Sequence, residues 1–312
     1  MPNLSERFFY SLHGRVAAST CEIPFLPPHA PTTPDLDLRF ELPAVSSPNG
    51  ATRWYESDDD GHSIVVDRLA SGGLLIRFAD GTAFLVDAQG RSIALQSAPA
   101  HYTAGDLAAY ALGPVLAVAL HMQGAMLLHA SAALLGKKAV LFAGHSGDGK
   151  STIAALLHRQ NRVVLSDDLT EISASLCAVP SIPAIRLWPD GVRALYGADR
   201  ALPDLAPSWD KKLIRTSESE NTAHQIGAIL VIESKHRGAL RLERMERKEG
   251  WKRLMAHSYT ARLPDPAMSA KILTMTTRLA DRVPVYSFSP PSIEDSDGLG
   301  AFLESSLAEH LQ

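Results

Sequence analysis

Gly144-His145-Ser146-Gly147-Asp148-Gly149-Lys150-Ser151 satisfies the pattern G-x-x-x-x-G-K-S/T. It follows an apolar run, Ala139 to Ala143, and precedes a helix-favouring one that begins at Thr152. Strand, loop and helix in that order are the context in which such a loop holds phosphate. Its glycines take positive φ, so successive N–H groups can converge on phosphate oxygens, and the helix N-terminus adds a positive partial charge. Residues 144–152 are therefore expected to cradle the phosphates of ATP. Lys150 would reach the β- and γ-phosphates, and the Ser151 hydroxyl would ligate Mg²⁺. The bland alternative is a glycine-rich turn that binds nothing.

Seventeen residues beyond Lys150, the apolar strand Arg162–Leu165 ends in Ser166-Asp167-Asp168. Carboxylates at the C-terminal end of a strand beside a phosphate loop stand where open α/β sheets place ligands. Asp168 is expected on the metal side and Asp167 near an acceptor hydroxyl as its base, the second carboxylate being alternatively a helix cap or a solvated turn residue. His129 lies in Leu127-Leu128-His129-Ala130-Ser131, on the strand before the loop strand. A hairpin across Gly136 would bring it near the loop, where it could steady a phosphate or an aspartate. As a histidine in an apolar strand it could equally be a hydrogen-bonded core residue. Arg186, Arg193, Lys211, Lys212 and Arg215 are candidates for screening the transferred phosphoryl, Arg186 foremost; each could also be an ordinary surface charge.

Elements that must position these groups follow from pattern. Residues 20–50 are dense in proline and read as extended, irregular chain. From Thr52 to Leu95, short apolar runs alternate with glycine-containing turns, the pattern of a small antiparallel β meander whose free edges could take an added peptide strand. Helix is expected over Gly105–His121 and strand over Met126–Leu135. Beyond Ala139–Phe142 the chain reads as alternating helices and strands, with strands at Arg162–Leu165, Ala228–Ile232 and Val283–Phe288 and helices over 265–281 and 293–309. The run Arg241–Lys248 mixes signs at helical spacing and reads as a solvated face rather than a basic patch. Asp58-Asp59-Asp60-Gly61 lacks the ligand spacing of a calcium loop and reads as a solvated turn. The fold class is α/β with a small N-terminal antiparallel β module, divided as 1–100 and 101–312.

Composition narrows the function classes. Of 312 residues, 46% are hydrophobic and 21% charged, as in ordinary globular chains. Thirty basic against thirty-four acidic side chains give −4, which provides no general field for nucleic acid. Two cysteines, Cys21 and Cys177, build neither a disulfide scaffold nor a zinc site. Leu107–Gly136 contains no Asp, Glu, Lys or Arg. Its alanines, Pro114, His121 and His129 favour a buried core helix and strand over a membrane span. With no signal-peptide pattern at the start, the expectation is a cytoplasmic protein without a membrane partner.

The succession LLHASAALL, AGHSGDGKST, VVLSDD and AIRLWPDGVRALYG, over about residues 125–200, resembles the C-terminal catalytic domain of HPr kinase/phosphorylase, a serine kinase related in fold to phosphoenolpyruvate carboxykinase. The resemblance implies that His129, Gly144 to Ser151, and Asp167 with Asp168 build one site using ATP and Mg²⁺. It places the family's arginine-bearing segment at Arg186 and Arg193, and it implies a homo-oligomer. Trp188-Pro189-Asp190-Gly191 replaces the glycine-rich character of that segment, which sets the phosphorylase activity apart from what the resemblance carries over. The meander joined to this core, together with Trp209-Asp210-Lys211-Lys212, is similar to the HPr-kinase-like proteins of lasso-peptide gene clusters. These phosphorylate a C-terminal serine of a precursor peptide. The expected activity is thus ATP-dependent phosphorylation of a serine in a peptide or small protein. The alternatives are a kinase of an HPr-like protein and a P-loop ATPase or nucleotide sensor.

Overall fold

A computed structural model of the chain describes residues 7–43, 50–59, 62–197, 202–216, 222–233, 240–261 and 263–312. It divides into two compact units, one of Met1–Ala125, Leu205–Trp209 and Arg262–Pro266, the other of Met126–Asp204, Asp210–Ala261 and Ala267–Gln312.

In the first unit, β1 (Phe8–Leu12), β2 (Arg15–Ser19), β3 (Leu36–Arg39), β4 (Thr52–Asp59), β5 (His62–Arg68), β6 (Leu74–Phe78), β7 (Ala83–Val86) and β8 (Ser92–Ser97) form one sheet. Its order is β1-β2-β3-β8-β7-β6-β5-β4, with β1 and β4 at the edges. Strands β4 to β8 are the expected antiparallel meander. His13 and Gly14, at φ 50° and 66°, close the β1–β2 hairpin, since two successive positive φ values match the twist of the flanking strands. The expectation of irregular chain through residues 20–50 is corrected at β3, which runs parallel to both β2 and β8. Alternation in Leu36-Asp37-Leu38 buries both leucines and outweighs the nearby prolines. Part of the Asp58–Gly61 run lies outside the described residues.

The apolar stretch is a helix, α1 (Ala104–Tyr110) and α2 (Leu116–Met122) joined by a wider turn over Ala111–Val115. Thr103 and Asp106 form a reciprocal capping box at its start. Pro114 cannot donate, and Gly113 before it leaves helical geometry at φ −111°, ψ −115°. Length and composition would let Ala104–Met122 cross a membrane, but 72% of it is buried in the protein, as expected for a core helix. The β7–β8 turn rests on it so closely that a Cβ on Gly90 would lie 2.2 Å from the Ala119 carbonyl oxygen. The helix thus belongs with the N-terminal sheet, whereas a division at residue 100 assigns it to the other half.

The second unit contains β9 (Met126–Leu128), β10 (Ala130–Leu135), β11 (Lys138–Ala143), α3 (Lys150–Arg159), β12 (Val164–Ser166), β13 (Thr170–Ile172), β14 (Cys177–Val179), β15 (Ala184–Leu187), α4 (Pro189–Tyr196) and β16 (Lys212–Arg215). It continues with β17 (His224–Ile232), β18 (Arg241–Arg244), α5 (Arg247–Ala256), α6 (Pro266–Arg282), β19 (Val285–Ser289) and α7 (Leu299–Ser306). At its centre β11, β17 and β19 run parallel, and β10 joins antiparallel to β11 across the Gly136-Lys137 turn. Alternation along β11 and β17 sends Val140, Phe142 and Leu230 to one face, under α3, α4 and α7. Leu141, Ile229 and Val231 go to the other, under α5 and α6. A sheet covered on both faces accounts for these near-continuous apolar strands.

Three expectations are corrected here. Helix and strand do not simply alternate, because β12 to β15 follow one another as strands. Arg241–Lys248 is not one helix: Arg241–Arg244 pairs with β19 as an exposed strand before α5 begins. The predicted strand Met126–Leu135 breaks at His129, where β9 leaves to pair with β13 and β10 pairs with β11 and β12.

Candidate active site

The loop between β11 and α3 takes the form its sequence requires. Gly147 and Gly149 have φ 83° and 97°, the left-handed region that other residues enter at a cost. The Asp148 carboxylate folds back to accept from the His145 N–H at 2.6 Å. Lys150, 5% exposed, donates from Nζ to the carbonyl oxygens of Gly144 at 2.9 Å and His145 at 2.7 Å. Burial lowers its pKa, against the opposing pull of Asp168, Asp167 and Asp148. A cation held by two carbonyls at the foot of a loop rich in N–H groups is a receptor for anionic oxygen.

The two aspartates behind β12 have different surroundings. Asp167 is 4% exposed: Oδ1 accepts from Ser131 Oγ at 2.8 Å, and Oδ2 accepts from the backbone N–H of Arg186 at 2.9 Å. Asp168, at φ 71°, turns the other way. Its Oδ1 is hydrogen-bonded to His129 Nε2 at 2.9 Å, and its Oδ2 lies 3.6 Å from Arg186 Nη2. Desolvation on its own would raise the Asp168 pKa. The hydrogen bond to His129 and the charges of Arg186, His129 and Lys211 outweigh it and hold the carboxyl well below the usual carboxylate range.

A cavity of about 750 Å³ opens over the loop. Ser146 to Thr152 line it, and so do Asp168, Arg186 and Lys211. Of the expected site residues, Asp167, His129, Gly144 and His145 do not line it. Asp167 is therefore placed as a support for Ser131 and the Arg186 backbone and not as a group facing substrate. Arg193 pairs with Asp190, Lys212 pairs with Asp204, and neither they nor Arg215 line the cavity.

The cavity and the residues behind it include groups that no motif marks. Trp188 is 52% exposed on its wall, with Lys211 Nζ 5.0 Å from the ring centroid. Pro290, Pro291 and Ile293, just after β19, form another part of the wall. His257 is buried with its ring 4.8 Å from that of His145, and its carbonyl accepts from the His129 N–H at 2.8 Å. Burial, then the charges of His145, His129 and Lys150, push its pKa down to about 4. Trp188 was visible as an apolar residue in the segment after Arg186. Nothing local marks His257, because α5 brings it in from far along the chain.

The chemistry of the donor set fits a nucleotide with Mg²⁺. Among the described residues no group of three or more His, Cys, Asp or Glu could hold a metal ion by itself. Mg²⁺ typically takes one or two protein oxygens and completes its shell with phosphate and water. Ser151 and Asp168, both at the cavity, would be those protein ligands.

No family model matches the chain, and no curated protein matches it. Among solved structures, it is similar to the HPr(Ser) kinase/phosphatase from Coxiella burnetii at 12% identity, over 59% of this chain and 95% of that one, with a TM-score of 0.27. The functional reading accordingly rests on the geometry of the site.

Proposed function

We propose that the chain is an ATP-dependent kinase that transfers the γ-phosphoryl group to a serine hydroxyl of a peptide or small protein. The observation that carries this reading is the convergence of the 146–152 loop, Lys150, Asp168 and Arg186 on one cavity. Phosphoryl transfer needs positioning and positive charge more than covalent participation by the protein. The loop N–H groups and Lys150 hold the β- and γ-phosphates, Arg186 screens charge on the transferred group, and Asp168 hydrogen-bonds the incoming hydroxyl. The new bond joins the serine oxygen to Pγ and the bond from Pγ to the β–γ bridging oxygen breaks, the serine proton leaving to water while Asp168 orients the hydroxyl. Mg²⁺, when bound by Ser151 and Asp168, supplies neutralisation of the triphosphate. The sequence resemblance favours a lasso-peptide precursor with a C-terminal serine as the acceptor.

Incubation of the protein with ATP, Mg²⁺ and serine peptides, including such precursors, followed by mass measurement tests the reading. Phosphopeptide is the expected product. Free phosphate alone would make the protein an ATPase, and no turnover would make it a nucleotide sensor.

A further inference from the structure

The cavity has chemically different regions, and this gives it a direction. Arg186 and Asp168 stand together in it, 3.6 Å apart. Two residues beyond Arg186, and so on the same side of the extended chain, comes Trp188. The β15–β16 register, Arg186 opposite Leu213 and Leu187 opposite Lys212, sets Trp188 across from Lys211 at the end of the ribbon. The lining also includes the apolar Leu156, Pro290, Pro291 and Ile293, which come from α3 and the segment after β19. Leu156 is six residues past Lys150 on α3, about 9 Å along its axis. The 290–293 segment follows β19, which runs parallel beside β17 and so ends at the same edge of the sheet as β11. Ligands of open α/β sheets bind at that edge.

In-line transfer puts the acceptor and the leaving nucleoside diphosphate on opposite sides of the γ-phosphorus. We infer that the nucleoside lies against the Leu156–Ile293 wall, leaving the Trp188–Lys211 face for the acceptor. This deepens the proposed function and rests on it. Apolar side chains suit the flat faces of a base and ribose. The exposed indole with its adjacent ammonium suits an acceptor segment that brings an apolar side chain and a negative charge beside its hydroxyl.

The test compares ATP with inorganic tripolyphosphate, which has the phosphates but no nucleoside, by calorimetric titration in Mg²⁺ on the full-length protein. Ile293→Ala should weaken ATP binding about tenfold and leave tripolyphosphate within twofold, with Ile293→Leu restoring ATP affinity. Trp188→Ala should leave both ligands within twofold of the original protein. Loss of ATP affinity in Trp188→Ala with tripolyphosphate unchanged would overturn the direction, because the base would then stack on the indole. Unchanged ATP affinity in Ile293→Ala would overturn it as well. Failure of the unaltered protein to bind either ligand would instead contradict the nucleotide reading itself.

Discussion

Asp167 and Asp168 are adjacent in sequence, yet the structure assigns them separable losses. Replacing Asp167 by Ala removes the acceptor of two buried donors, Ser131 Oγ at 2.8 Å and the Arg186 N–H at 2.9 Å. Each donor left unpaired costs about 1–3 kcal/mol, so Asp167→Ala should lower unfolding free energy by about 2–6 kcal/mol. Asn can accept from the Arg186 N–H and donate to the Ser131 hydroxyl, so Asp167→Asn should cost only the charge assistance, about 1–3 kcal/mol in all. Its turnover should fall no more than about tenfold, because Arg186 is still held in place. Asp168 is more exposed and faces the cavity. Asp168→Asn should cost about 1–3 kcal/mol of stability, through its bonds to His129 and Arg186, and reduce turnover by about 10²–10³-fold. Urea titrations give the stabilities, and phosphopeptide formation at saturating ATP gives the rates. An Asp167→Asn protein as stable as the original but as inactive as Asp168→Asn would refute the division of roles.

Other expectations follow from single features. Lys150→Ala should bring phosphotransfer below about 1% while the protein remains folded by circular dichroism, because its ammonium serves the loop and not the apolar core. Gly149→Val places a β-branched residue at φ 97°; the resulting strain should remove ATP binding in a titration, whereas Gly298→Ala, at a negative φ with open space around it, should not. His257, with its pKa near 4, is neutral in the fold while an unfolded histidine takes up a proton near pH 6.5. Its contribution to stability is therefore present above about pH 6.5 and is lost as pH falls towards 4, by up to about 3 kcal/mol. His257→Gln should flatten that slope in denaturation curves measured at pH 7 and pH 4.5, and an unchanged slope would contradict it.

What could be read from sequence was what is local. The 144–151 loop is one continuous segment, and its strand and helix follow from the apolar runs on either side. The same holds for the meander, where each turn carries its glycine. The roles within the aspartate pair were less legible. Neighbouring residues at a strand end point different ways, and only the structure shows that Asp167 turns inward to Ser131 while Asp168, at positive φ, turns to the cavity. Strand β3 was hidden because its burial depends on β2 and β8 on either side, and four residues after a run of prolines carry little signal alone. Arg241–Arg244 has the charges of a helix face but pairs as a strand with β19, a tertiary preference that outweighs intrinsic propensity. His257 and the 290–293 wall reach the site only through the fold.

The central claim is tested most directly by mixing the full-length protein with ATP labelled at the γ-phosphorus, Mg²⁺ and a serine-terminated precursor peptide, and following the label. The account predicts label on the serine oxygen of the peptide, dependent on Mg²⁺ and absent with Lys150→Ala. Label released only as inorganic phosphate, at a rate the peptide does not alter, would contradict it.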